Sequence, residues 1–151
     1  MQFRRCFEFY LNTGARRAEG LNLEWKDVNF KRKFVFLRHT KTGKTRMVPM
    51  NDTLYDILKE MYQENSEGKL FNYSEDAVTR QFKRYLRKSE INKDLHLHNL
   101  RDTFASHLIM NGVDILTVSR YLGHSNIRIT EKYYGHLSPG HYHDSIKKLP
   151  Y

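Results

Sequence analysis

"KFVFLRHTKTGKTRMVPM" occupies residues 33–50, and its pattern differs from the helix-prone sequence on either side. "KFVFLR" and "TRMVPM" are short β-prone runs. They flank "HTKTGK", which reads as a hairpin-like turn around Gly43. Working outward, a first helix is expected over about residues 2–11, stopping before Asn12-Thr13-Gly14. Thr13 can cap a second, carrying Leu21 and Leu23 and ending before Asp27. Downstream, "NDTLYDILKEMYQEN" is amphipathic, with Asn51 or Asp52 as cap and Leu54, Ile57, Leu58 and Met61 as its stripe. "SEDAVTRQFKRYLRKSEI" turns Val78, Phe82, Tyr85 and Leu86 inward and a row of Arg and Lys outward. Three more helices are expected near 99–111, 114–122 and 126–136, the first two stopped by Gly112 and Gly123, with a last amphipathic piece after Pro139. The expected fold is mainly α with one small antiparallel β-sheet.

The 151 residues suit a single domain spanning 1–151, long enough to bury a core. Charge is lopsided: 26 Lys and Arg against 17 Asp and Glu leave +9. Such an excess calls for a polyanionic partner, with nucleic acid first and an anionic membrane surface second. No apolar run approaches the ~18 residues of a membrane span, so no membrane partner is expected. The single Cys6 excludes an internal disulfide and a cysteine-based zinc site. A soluble, cytoplasmic protein is the expectation. "MQFRRCFEFYLNTG" enters directly on an amphipathic pattern, as if cut from a longer chain.

Cationic or imidazole groups recur at expected helix starts. Arg16 lies in the first turn after Thr13, His98 and Arg101 open the 99–111 helix, and His124 precedes Ser125 and Asn126, either of which can cap the next helix. A cation there opposes the helix dipole by ~0.3–1 kcal/mol, unless an anion sits among the side chains and amides. Three such places in a basic chain point to a phosphate pocket.

The same residues carry a resemblance. "TGARRAEGLNLEWKDV" resembles the first arginine box of the tyrosine recombinases, the phage integrases and Xer-type enzymes. "TKTGKTRMVP" is similar to their β-hairpin lysine segment, and "HLHNLRDTFASHLIMNG" to their second box, His-x-x-Arg followed by Thr-Phe-Ala. "YLGHSNIRITEKYYGHL" resembles the third, Leu-Gly-His followed nine residues later by tyrosine. Four ordered motifs at compatible spacings are far more specific than any one of them. The resemblance implies a tyrosine-recombinase catalytic-domain fold, with the family's N-terminal core-binding domain lying outside this chain.

It also implies roles. Arg16 and Arg101 would clamp the non-bridging oxygens of a scissile DNA phosphate, helped by His124. Lys41 would protonate the departing 5′ oxygen, and His98 would act as general base or phosphate partner. Tyr133 would attack, leaving a 3′-phosphotyrosine link that a 5′ hydroxyl later reverses, with neither ATP, metal nor cofactor. Double-stranded DNA would be the partner, bound by a homotetramer whose C-terminal segments dock on a neighbour; "SPGHYHDSIKKLPY" would either play that part or simply fray. Asp102 departs from the family, where many relatives have a second histidine.

The residue types suit that chemistry. A phenol has a pKa near 10, so presenting phenolate at pH 7 costs ~4 kcal/mol. A pentacoordinate phosphorane gains equatorial charge, which preorganised guanidiniums stabilise selectively. A lysine on a hairpin tip can serve as acid if neighbouring cations lower its pKa.

Blander readings stand beside these. Arg16 alone reads as a solvated arginine, or one paired with Glu19 or Glu24. Glu19 reads as structural, orienting the arginine or a helix end. Lys44 competes with Lys41 across the same turn, and only the resemblance favours Lys41. His96 and His98 alternate like a metal pair but lack a third ligand at a fixed offset. Trp25 reads as core. "TRQFKRYLRK" reads as a solvated basic face that also suits DNA backbone. A type IB topoisomerase-like nicking and resealing enzyme, or a non-catalytic DNA-binding relative, would share many of these features. Of the tyrosine pair, periodicity puts Tyr134 on the apolar stripe of Ile127 and Leu137 and leans slightly toward Tyr133 as the freer hydroxyl. The nine-residue step from His124, matched to the third box of the family it resembles, decides for Tyr133.

Overall fold

The computed structural model describes residues 2–38, 44–91, 94–138 and 147–150. Its chain divides into two compact units, residues 1–104 and 105–151.

In the first unit, helix α1 (Gln2–Thr13) runs two residues past its expected end. Asn12 Nδ2 and Thr13 Oγ1 donate back to the carbonyls of Glu8 and Phe9 at 2.8 and 2.7 Å, so both close α1 rather than opening the next helix. Gly14, at φ +60°, then terminates it, its N–H donating to Tyr10 O at 3.0 Å. Helix α2 (Arg17–Leu21) is therefore shorter than expected, and its N-cap is Arg16, not Thr13.

Strands β1 (Val28–Asn29), β2 (Phe34–Arg38) and β3 (Thr45–Pro49) form an antiparallel sheet in that order. The β2–β3 register sets Val35 opposite Val48 and Leu37 opposite Arg46. Strand β1 was not expected, because two residues cannot show an alternating pattern; it pairs Val28 with Val35. Helix α3 (Asp52–Glu64) is capped by Asn51, whose side chain accepts from Leu54 N, and helix α4 (Glu75–Lys88) by Ser74. Val78, Phe82 and Leu86 are buried as expected, but Tyr85 is 45% exposed. The i, i+4 steps from Val78 to Leu86 fill the core-facing stripe, leaving Tyr85 at its border with its ring edge-on to Phe7 at 5.8 Å. Cys6, Phe9, Tyr10, Leu37, Leu54, Leu58 and Val78 make the centre of this unit's core, with Trp25 at its margin. Burial pushes the Cys6 thiol up to about 12, so it packs as an inert apolar group.

Helix α5 (Asn99–Met110) spans the boundary between the units. In the second unit, helix α6 (Ile115–Leu122) is capped by Asp114 and ends on Gly123 in the left-handed conformation. Helix α7 (Ile127–Tyr134) is capped by Asn126 and runs into a 3₁₀ turn, Gly135–Leu137. Ile109, Val118, Leu122 and Tyr134 are buried. The piece expected after Pro139 lies largely outside the described residues. Among the described residues, no helix is long and apolar enough to cross a membrane.

Candidate active site

Arg16 owes its position to one buried carboxylate. Its backbone N–H donates to Glu19 Oε2 at 2.7 Å, which caps α2, and its Nη1 donates to Oε1 at 2.9 Å. Glu19 is 3% exposed, and Arg46 on β3 closes on it bidentately, Nη1 to Oε1 at 2.6 Å and Nη2 to Oε2 at 2.8 Å. Burial alone would raise the Glu19 carboxyl, but the hydrogen bonds and charge of Arg46, with the amide and guanidinium of Arg16, bring it down to about 2. The four donors fill the lone-pair sites of the carboxylate. Arg16 Nε and Nη2 have no protein partner among the described residues, and its side chain is 33% exposed. The arginine is thus fixed at one corner and open at the other.

Arg101, 4% exposed on the first turn of α5, donates Nη1 to the carbonyl of Gly14 at 2.7 Å. This places its guanidinium at the turn between α1 and α2, two residues before Arg16. The ring of Phe104 closes the same turn: a Cβ on Gly14 would stand 2.5 Å from Phe104 Cδ1. The turn therefore needs glycine both for its backbone conformation and for space.

His98 precedes α5, and its carbonyl accepts from the amide of Arg101 at 2.9 Å. Its side chain is exposed and borders a cleft of about 330 Å³ that Arg17, Lys83 and His96 also line. Asn99 steadies the approach to the helix, its Oδ1 accepting from His96 N at 2.7 Å and its Nδ2 donating to Asp102 at 3.0 Å. Lys41 lies outside the described residues; Lys44, its competitor, is exposed just before β3. No cluster of metal-binding side chains occurs among the described residues.

In the second unit, His124 follows the left-handed Gly123, and its Nδ1 sits 2.8 Å from Thr130 Oγ1. Thr130 is fully buried on α7, so the imidazole is fastened through one nitrogen to a rigid helix. Thr130, three residues before Tyr133, faces inward. The neighbouring tyrosines part company. Tyr134 is 9% exposed, whereas Tyr133 is 59% exposed with Lys132 Nζ 5.7 Å from its ring centroid.

Arg46 is the site residue missing from the sequence expectations. The signal was present: strand alternation puts position 46 on the face of the buried Val48, and a charge on a core face requires a buried partner.

Comparison with known proteins places these features in a family. The model described as the phage integrase family matches residues 1–141. A tyrosine recombinase of Thermosipho africanus is 34% identical over 143 residues, covering 90% of this chain and 50% of that protein. The chain thus spans about half the length of that relative. The catalytic domain of bacteriophage HP1 integrase is 35% identical with TM-score 0.76, covering 97% of this chain and 81% of the solved one. XerH site-specific recombinase, solved with a palindromic difH substrate in a post-cleavage complex, has TM-score 0.77 at 21% identity, covering 99% of this chain and 46% of that one; at this identity it shares the fold alone. With a family match over nearly all its length, the chain belongs to the phage integrase family.

Proposed function

We propose that this chain is the catalytic domain of a site-specific DNA recombinase that cuts and rejoins strands through a covalent tyrosine link. The observation that carries the reading is Arg16, held on Glu19 through its backbone amide and Nη1, with Nε and Nη2 unpartnered among the described residues. Membership of the integrase family and the +9 charge support double-stranded DNA as that ligand.

Tyr133 Oη attacks the scissile phosphorus, and the bond from phosphorus to the 5′ oxygen breaks. Lys41 gives its proton to the leaving 5′ oxygen, and His98 takes the phenol proton. Arg16 and Arg101, helped by His124, stabilise the charge that gathers on the non-bridging oxygens. The product holds a 3′-phosphotyrosine and a free 5′ hydroxyl. Attack by a 5′ hydroxyl from another strand restores the phosphodiester and frees Tyr133, so the ester bond itself conserves the energy for joining. Assembly as a homotetramer on DNA follows the same reading.

The test uses a nicked suicide duplex whose site is selected from random DNA by the chain itself. A covalent adduct that survives denaturation is expected. DNA binding with no adduct contradicts the enzyme reading and leaves a binding module. Adducts that reseal but never join two different duplexes assign the chemistry to a topoisomerase-like enzyme.

A further inference from the structure

We infer that Arg46 is a positioning residue, which through Glu19 sets both the orientation and the net charge of the phosphate-facing Arg16. This rests on the proposed phosphate role of Arg16.

The Arg46 side chain is 10% exposed and that of Glu19 1%, so each is a charge held largely out of water. Arg46 takes both carboxylate oxygens, at 2.6 and 2.8 Å. The fork-on-fork geometry occupies the edge of the carboxylate that a second guanidinium would need for a bidentate grip. Among the described residues, Arg16 is left with one side-chain contact, Nη1 to Oε1 at 2.9 Å, and its Nε and Nη2 have no protein partner. Without Arg46, the carboxylate would have a vacant edge, and Arg16 could turn both its terminal nitrogens onto it.

Charge adds to this. Arg16, Glu19 and Arg46 sum to one positive charge, and removing Arg46 brings the sum to zero. A phosphate facing Arg16 would then meet a neutral pair, in surroundings where partial burial strengthens every such term. Arg46 also lies on β3, the strand leading out of the segment that carries Lys41. The inference separates Arg46 from a packing role, because a packing residue would not act through the charge of Glu19.

The experiment titrates the chain with inorganic phosphate at constant ionic strength, following the Arg16 Nε–H resonance, which is assigned by its loss in Arg16→Lys. Wild type should show a saturable shift. Arg46→Met keeps the apolar stem and should weaken phosphate by roughly tenfold, within the range of contact coupling energies. Adding Glu19→Gln to Arg46→Met removes the uncompensated charge and should recover most of the loss. Arg46→Lys, which keeps charge without the fork, should fall between. If Arg46→Met does not fold, the double variant and Arg46→Lys decide the matter. Phosphate affinity at Arg16 unchanged in folded Arg46 variants, or no recovery on adding Glu19→Gln, overturns the inference while leaving the site reading intact. A wild-type chain with no response at Arg16 contradicts the site reading and this inference with it.

Discussion

Arg101 Nη1 is hydrogen-bonded to the carbonyl of Gly14 at 2.7 Å, which ties the first turn of α5 to the turn that presents Arg16. Two family boxes 87 positions apart in sequence meet at that bond. Gly14→Ala tests how much the turn matters. It places a Cβ 2.5 Å from the Phe104 ring at a φ of +60°. Overpacking and left-handed strain together should cost about 2–4 kcal/mol. The urea midpoint, at unchanged m-value, measures it. A midpoint within error of wild type would show that the turn relaxes freely.

Glu19 gives a pH signature. Its carboxyl lies at about 2 in the folded chain against 4.5 for the free group. A depressed folded pKa contributes stability that is complete above about 4.5 and is lost as pH falls toward 2. The contribution is on the order of 3 kcal/mol. Glu19→Gln should be less stable than wild type at pH 7, and the gap should narrow on acidification through that window. A gap constant from pH 6 to 2.5 would contradict the buried ion pair.

Thr130 fixes His124 through Nδ1 at 2.8 Å. Thr130→Val removes the hydroxyl but keeps the shape. Cleavage should slow by about tenfold or more, the scale of one lost buried hydrogen bond. Thr130→Ser should retain most of the rate. Equal rates for Val and Ser would free His124 from this tether.

DNA affinity should depend steeply on salt. Contacts to six to ten phosphates imply a loss of about 10³–10⁵-fold between 50 and 200 mM salt. A filter-binding series checks the slope. A flat response would remove the basic surface from the binding account.

The helices with long apolar stripes were legible because 3.6-residue periodicity survives in α3 and α4, and because Asn51, Ser74, Asp114 and Asn126 are strong caps. Thr13 misled for a physical reason: a threonine hydroxyl can bond backward to its own helix as readily as forward, and here it takes Phe9 O. Arg16 replaced it as cap through its backbone amide, with Glu19 supplying the acceptor from the first turn of α2. Tyr85 misled because the i+3 and i+4 positions compete for one stripe, and Leu86 took it. The tyrosine pair was half legible. Periodicity favoured Tyr134 for burial, and the structure gives 9% against 59% exposure. Which hydroxyl reacts is a question of chemistry, carried by the family motif. The Arg46–Glu19 pair bridges 27 positions, beyond any local pattern.

The central claim is that Tyr133 is the nucleophile, and it is tested most directly by mapping the DNA-linked peptide. After suicide cleavage and nuclease digestion, mass spectrometry should place the phosphonucleotide on Tyr133, and Tyr133→Phe should form no adduct while still binding DNA. A modification on Tyr134, or an adduct that persists in Tyr133→Phe, would contradict it.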